Sequence, residues 1–219
     1  QLFLLQAIII AISFSAIPSS LLYFTGRAEL WVEKWRYIKS GMLVVIVTAV
    51  SLFFAANWLR DSIASAFNND TLIDLIPSFS VVIGSTMLIG LLSPVLIAFD
   101  KTERQVYLSL LVALVTTLPT ICMAYWSGGL LDIVFALAAG NLAAVLIVMI
   151  VIGRLEGFQE VVSMRDLGGG VAKLLAYILP LMLAASVAII GLKLDHFIVM
   201  QTLTLTAYGL YSAGAIEIP

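Results

Sequence analysis

The sequence predicts an all-α integral membrane protein, a multi-span helical bundle, and three observations predict it. Of the 219 residues, 62% are hydrophobic and 11% are charged, where a soluble domain carries about 25% charged residues. So few polar side chains cannot cover a water-facing surface, and lipid must serve as the solvent. Apolar runs of membrane-spanning length recur along the whole chain. Lysine and arginine collect in every second connection between those runs.

A spanning helix needs about 20 mostly apolar residues, because the hydrocarbon core is about 30 Å thick. Six segments meet this: Leu2–Phe24, Gly41–Leu59, Leu72–Phe99, Val106–Trp126, Leu130–Ile152 and Val171–Leu192. Ala207 to Ile216 reads as the start of a seventh. The third segment is over-long and holds Pro77 and Pro94, so a short non-spanning turn at its entry or a tilt across the bilayer is expected. Pro18 in the first segment and Pro180 in the sixth predict kinks. The chain opens at Gln1 and closes at Pro219 within apolar runs. It is therefore expected to be an internal piece of a longer membrane protein.

Topology follows from charge. Arg27, Lys34, Arg36 and Lys39 lie between spans one and two, and Lys101 and Arg104 between three and four. Arg154, Arg165 and Lys173 lie between five and six. These are nine of the eleven basic residues, and only Arg60 and Lys193 fall on the other side. The split predicts that the nine face the cytoplasm. Trp31, Trp35, Trp58 and Trp126 are all expected at membrane interfaces. The opposite connections, "RDSIASAFNNDTLID" and "YWSGG", read as loops.

Few residues inside the spans carry chemistry. A charge at the bilayer centre is costly and marks function by default, and none of the six spans has one near its middle. Asn141 is the strongly polar residue deepest in a span, read first as helix-to-helix glue and second as a substrate contact. Ala136, Gly140 and Ala144 recur every four residues, as do Ser80 with Gly84 and Gly209 with Ala213. Small residues at that spacing let helices approach closely. "GGGVAK", Gly168 to Lys173, lacks the Gly-Lys-Ser/Thr ending of a phosphate loop. Gly168, Gly169 and Gly170 are read instead as a flexible hinge ahead of a helix.

One histidine and one cysteine make no metal-ligand cluster, so neither a metal nor another cofactor is expected. Cys122, inside an apolar run, is read as a small buried hydrophobe. Nor is a catalytic centre expected, since no long outer connection offers paired carboxylates. A net charge of −2 gives no case for nucleic acid. The rarest side chains gather in "GLKLDHFIVMQ", where Lys193, Asp195 and His196 follow the sixth apolar run. They read either as the polar exit of that span or as a group facing something transported.

The tail that follows, "LDHFIVMQTLTLTAYGLYSAGAIEI", resembles the mid-chain signature of polysaccharide flippases of the O-antigen type. These belong to the multidrug/oligosaccharidyl-lipid/polysaccharide exporter superfamily. The matching positions are Asp195, then Gly209, Tyr211, Ser212 and Ala213. His196 stands where arginine is more common, and Gly214 where an aromatic residue is. The resemblance implies a transporter of two helical lobes that moves a lipid-linked oligosaccharide across the cytoplasmic (inner) membrane by alternating access. It implies an incomplete first lobe over residues 1–153, a cytoplasmic interlobe linker over 154–173, and the start of the second lobe over 174–219. On this reading the chain covers spans two to seven and the beginning of the eighth.

The substrate and binding partner is then a polyprenyl-diphosphate sugar, with membrane lipid around it and other polysaccharide-assembly membrane proteins as further partners. Basic side chains suit a diphosphate. Arg27 and Lys173, at the inner ends of spans one and six, are candidates for binding, and Lys193, Asp195 and His196 for binding or gating. A drug or cation exporter of the same superfamily remains an alternative, although it usually needs a carboxylate within a lobe. A membrane glycosyltransferase or polymerase of the same pathway is another, and it should carry a long charged outer loop.

Overall fold

The structure, a computed structural model, describes residues 2–67, 69–126, 129–155 and 164–202. They form nine helices: α1 (Leu2–Ser13), α2 (Ala16–Arg27), α3 (Trp31–Trp58), α4 (Arg60–Ala66), α5 (Leu72–Ile89), α6 (Leu92–Ala98), α7 (Thr102–Trp126), α8 (Leu130–Gly153) and α9 (Met164–Thr202). Six stretches are long and apolar enough to span a membrane, with α1–α2 and α5–α6 each making one. The chain is an all-α, multi-pass bundle.

Proline sets where the two divided spans break. A proline inside a helix lacks an N–H and its ring clashes with the carbonyl four residues earlier. Pro18 lies four residues after Phe14, and Phe14–Ser15 is where α1 ends. Pro94 lies four residues after Gly90, and Gly90–Leu91 is where α5 ends. The kink expected at Pro18 thus falls one turn upstream, where α1 gives way to α2 while Ser15 keeps a right-handed helical backbone. The over-long third span does not enter through a turn at Pro77, which lies inside α5; it is interrupted ahead of Pro94, and α5–α6 together still make one span of 27 residues. The two breaks touch: a Cβ on Gly90 would lie 2.6 Å from the Phe14 ring. By contrast, α9 runs on through Pro180 without interruption.

Span α5–α6 occupies the centre, with α5 against α1, α3, α4 and α8, and α6 against α2, α7 and α8. Its apolar side chains Phe79, Val82, Ile83, Met87 and Leu96 are buried. Its hydroxyls bond backward within the helix, buried Ser85 to the Val81 carbonyl at 2.6 Å and half-buried Thr86 to that of Val82 at 2.8 Å. Glycines at the expected small-residue positions set the helix spacing. A Cβ on Gly140 of α8 would stand 2.8 Å from the Val115 carbonyl oxygen of α7, and one on Gly84 would stand 3.2 Å from Ala49 Cβ of α3. Helix α9, read above as opening a second lobe, packs against α1, α2 and α3.

The basic residues collect at one end of the bundle. Lys34 Nζ donates to the Ala98 carbonyl at 3.3 Å, tying the start of α3 to the end of α6. Ser40 Oγ donates to the Leu167 carbonyl at 3.2 Å, tying α3 to the start of α9. Asp100 closes α6 with φ of 56°, and the Lys101 N–H reaches back to the Leu96 carbonyl at 2.9 Å. This is the left-handed helix ending that favours glycine but tolerates aspartate.

Four expectations change at this level. The second span starts at Trp31 rather than Gly41, so its basic residues lie on the helix itself. Trp35 is fully buried and packs on Phe99 at 4.8 Å, so it is a core residue and no interfacial anchor. The opposite connection after Trp58 contains a short helix, α4, rather than loop alone. Cys122 is exposed on the outer surface of the bundle.

Candidate functional site

At the basic end, the last turns of α2, the first turns of α3 and the fourth turn of α9 meet in a group of aromatic rings. Tyr23 stacks on Tyr177 with centroids 4.8 Å apart and planes 16° apart. Phe24 stacks on Tyr37 at 5.0 Å and meets Tyr177 edge-on at 5.7 Å. Cations border this stack. The Arg27 guanidinium carbon sits 4.3 Å above the Tyr23 ring and that of Arg36 sits 5.0 Å above Tyr37. Lys173 lies four residues before Tyr177, one helical turn away on the same face of α9.

Local sequence explains each placement. Tyr23 and Arg27 are four apart on α2, as Lys173 and Tyr177 are on α9, and such pairs share a helix face. Arg27 and Lys173 are both exposed, so their charges remain hydrated and available. Arg36 is more committed: it donates to Tyr37 Oη at 3.3 Å and pairs with Glu33 at 3.7 Å. Its buried Nε has no partner among the described residues. The arrangement offers cations for a phosphate and flat aromatic faces beside them.

The structure therefore places Arg27 at the stack and Lys173 one helical turn from it along α9. Asn141 is buried in α8, and its Nδ2 donates to the Leu137 carbonyl of its own helix at 2.8 Å. That bond lies within α8. Lys193, Asp195 and His196 lie on a continuous helical backbone, since α9 runs to Thr202; their side chains are outside what the structure describes. A span exit at Leu192 is thus not seen as a break in the helix. Gly209, Tyr211, Ser212 and Ala213 lie outside the described residues, as does the linker from 156 to 163.

The three glycines differ from one another. All lie within α9 rather than ahead of it. Gly168 and Gly169 face open space, whereas a Cβ on Gly170 would strike the Ser40 side chain, with Ser40 Cβ at 3.2 Å. Gly170 therefore permits a close α3–α9 approach. Tyr23, Tyr37 and Tyr177 were missed in the sequence as site residues; the four-residue spacing of Tyr23 to Arg27 and of Tyr177 to Lys173 was the available signal, and Tyr37 offered none.

Geometry and composition together define a multi-pass helical membrane protein with a basic, aromatic end. The sequence profile of a family described as polysaccharide biosynthesis protein matches residues 33–216. This chain belongs to that family. Comparison with curated proteins and with solved structures gave no match.

Proposed function

We propose that the protein is a transporter that flips a lipid-linked oligosaccharide, a polyprenyl-diphosphate sugar, across the cell inner (cytoplasmic) membrane for polysaccharide biosynthesis. The observation that carries this reading is the Arg27 guanidinium over the Tyr23–Tyr177 stack, with Lys173 one helical turn from Tyr177 on α9. A sugar diphosphate cannot cross hydrocarbon unaided, and its polyprenyl tail prefers lipid. A membrane bundle with cations beside aromatic faces suits both parts of such a molecule. The basic end then faces the cytoplasm, as the charge rule requires, and the headgroup loads there. Membership of a polysaccharide biosynthesis family supports the substrate class. Lys193, Asp195 and His196, further along α9, are assigned to the opposite gate of the alternating-access cycle, and Gly168 and Gly169 to a joint at the start of α9.

The test is flipping of a fluorescent lipid-linked oligosaccharide in proteoliposomes. The double variant Arg27→Gln, Lys173→Gln should slow it at least about tenfold, since each lost charge-assisted contact contributes about 1.5–3 kcal/mol. Flipping at the parental rate would overturn the assignment of this cluster.

A further inference from the structure

A second basic feature lies at the same end but on another side of the bundle, away from the tyrosine stack. The end of α6, the start of α7 and the end of α8 enclose a groove of about 320 Å³. Leu96, Val151 and Leu155 form its apolar floor, Tyr107 one wall, and Arg104 and Arg154 its charged rim. Leu96 and Leu155 are buried, whereas Tyr107 is 75% exposed. Neither arginine takes part in the ion pairs seen among the described residues, such as Arg36–Glu33 and Arg60–Asp61. Asp100 and Glu103 line an adjoining hollow with Lys101 and Arg104, without a pair forming. Arg104 is also in the first turn of α7, where the helix dipole disfavours a cation. Local helix energetics does not account for it.

We propose that this groove is a binding site for an anionic phospholipid of the surrounding bilayer. The chemistry is two-sided. Paired guanidinium groups recognise a phosphodiester through forked, charge-assisted hydrogen bonds, and an apolar floor has no use to a free phosphate ion. Location favours a lipid as well. Only 6% of the apolar window of α7 is buried, so the outward face beside the groove, with Val106 69% exposed, meets acyl chains. A phospholipid seated there places its phosphate between Arg104 and Arg154 and runs its tails down α7. Basic pockets between helices at the cytoplasmic membrane surface bind anionic headgroups in this way. The bound lipid would clamp α7 to α6 and α8. The proposal rests on the basic end lying at headgroup level and is independent of what the protein transports.

Native mass spectrometry of the detergent-purified protein, titrated with phosphatidylglycerol or phosphatidylcholine, tests it. The expected result is one retained phosphatidylglycerol, bound at least about tenfold more tightly than phosphatidylcholine. Arg104→Gln with Arg154→Gln should abolish that preference. Val151→Phe, which fills the groove and keeps both charges, should weaken phosphatidylglycerol binding in the same direction and covers the case of a misfolded double variant. Lys101→Gln removes a neighbouring charge outside the groove and should leave binding unchanged. Equal loss in Lys101→Gln would reveal diffuse surface attraction and overturn the site, as would parental binding by Val151→Phe. Displacement of phosphatidylglycerol by an equimolar polyprenyl diphosphate would assign the groove to a transported lipid and overturn the proposal.

Discussion

The third and fourth spans are almost equally hydropathic, yet 56% of the most apolar stretch of α5–α6 is buried and only 6% of that of α7. Phe79, Val82, Ile83 and Met87 of α5 are enclosed by neighbouring helices, while α7 buries Val112 and turns Leu110, Leu114, Leu118 and Ile121 outward. Lipid tails are as apolar as leucine, so nothing in hydropathy separates a protein-facing side chain from a lipid-facing one. Packing does separate them. The central span touches helices on most sides, and its hydroxyls are tucked into its own backbone. The peripheral span is held chiefly along one seam, at Gly140.

The largest effect expected from this contrast is at Phe79. Phe79→Ala should cost about 3–5 kcal/mol of bundle stability, as for other buried phenylalanines. Leu114→Ala, on the outward face of α7, should change it by less than about 0.5 kcal/mol. Unfolding of purified protein by increasing SDS in mixed micelles, followed by circular dichroism, measures both. Similar losses for the two would break the comparison.

Next in size is the seam itself. Gly140→Leu would drive a side chain into the backbone at Val115 and Thr116, which cannot step aside as a side chain would. It should cost about 1–3 kcal/mol, the range for overpacking. Gly84→Leu faces Ala49 Cβ at 3.2 Å and should cost less. A crosslink between α7 and α8 that persists undiminished in Gly140→Leu would show that the seam lies elsewhere.

A smaller effect belongs to the turn joining the two spans. Asp100 holds φ of 56°, a region costing a non-glycine residue about 1–2 kcal/mol. Asp100→Gly should therefore stabilise the same SDS unfolding by up to about 1 kcal/mol, and Asp100→Val should destabilise it. Matching stabilities for the two variants would mean that the α6 ending relaxes in solution.

The smallest expected effect tests the glycines of α9. Gly168→Ala and Gly169→Ala, at open helical positions, should each stabilise by about 0.5–1 kcal/mol. Gly170→Ala should not, because Ser40 already occupies the space its Cβ needs. Equal gains at all three would remove the close α3–α9 contact. Slower flipping in the Gly168, Gly169 double variant, with no loss of stability, would support the proposed joint.

The number of spans and the clustering of charge at one end were legible in the sequence, because bilayer thickness and helical rise act on contiguous residues. Asn141 was legible as buried, but the carbonyl that its Nδ2 reaches, that of Leu137 one turn back, is set by the folded helix. The prolines were legible as breakers. That Pro18 and Pro94 divide their spans while Pro180 leaves α9 continuous depends on neighbours that hold or release the freed backbone. Arg27 and Lys173 were singled out by charge, yet they are far apart in sequence, and nothing local announces that Tyr23 will stack on Tyr177. Such contacts exist only once α2 and α9 are side by side. The sequence by itself determined what could enter the membrane, since each run meets the same apolar solvent independently. Which faces of those runs meet each other was decided by tertiary structure, because shape complementarity at Gly90, Gly140 and Gly170, not hydropathy, sets the closest approach of one helix to another.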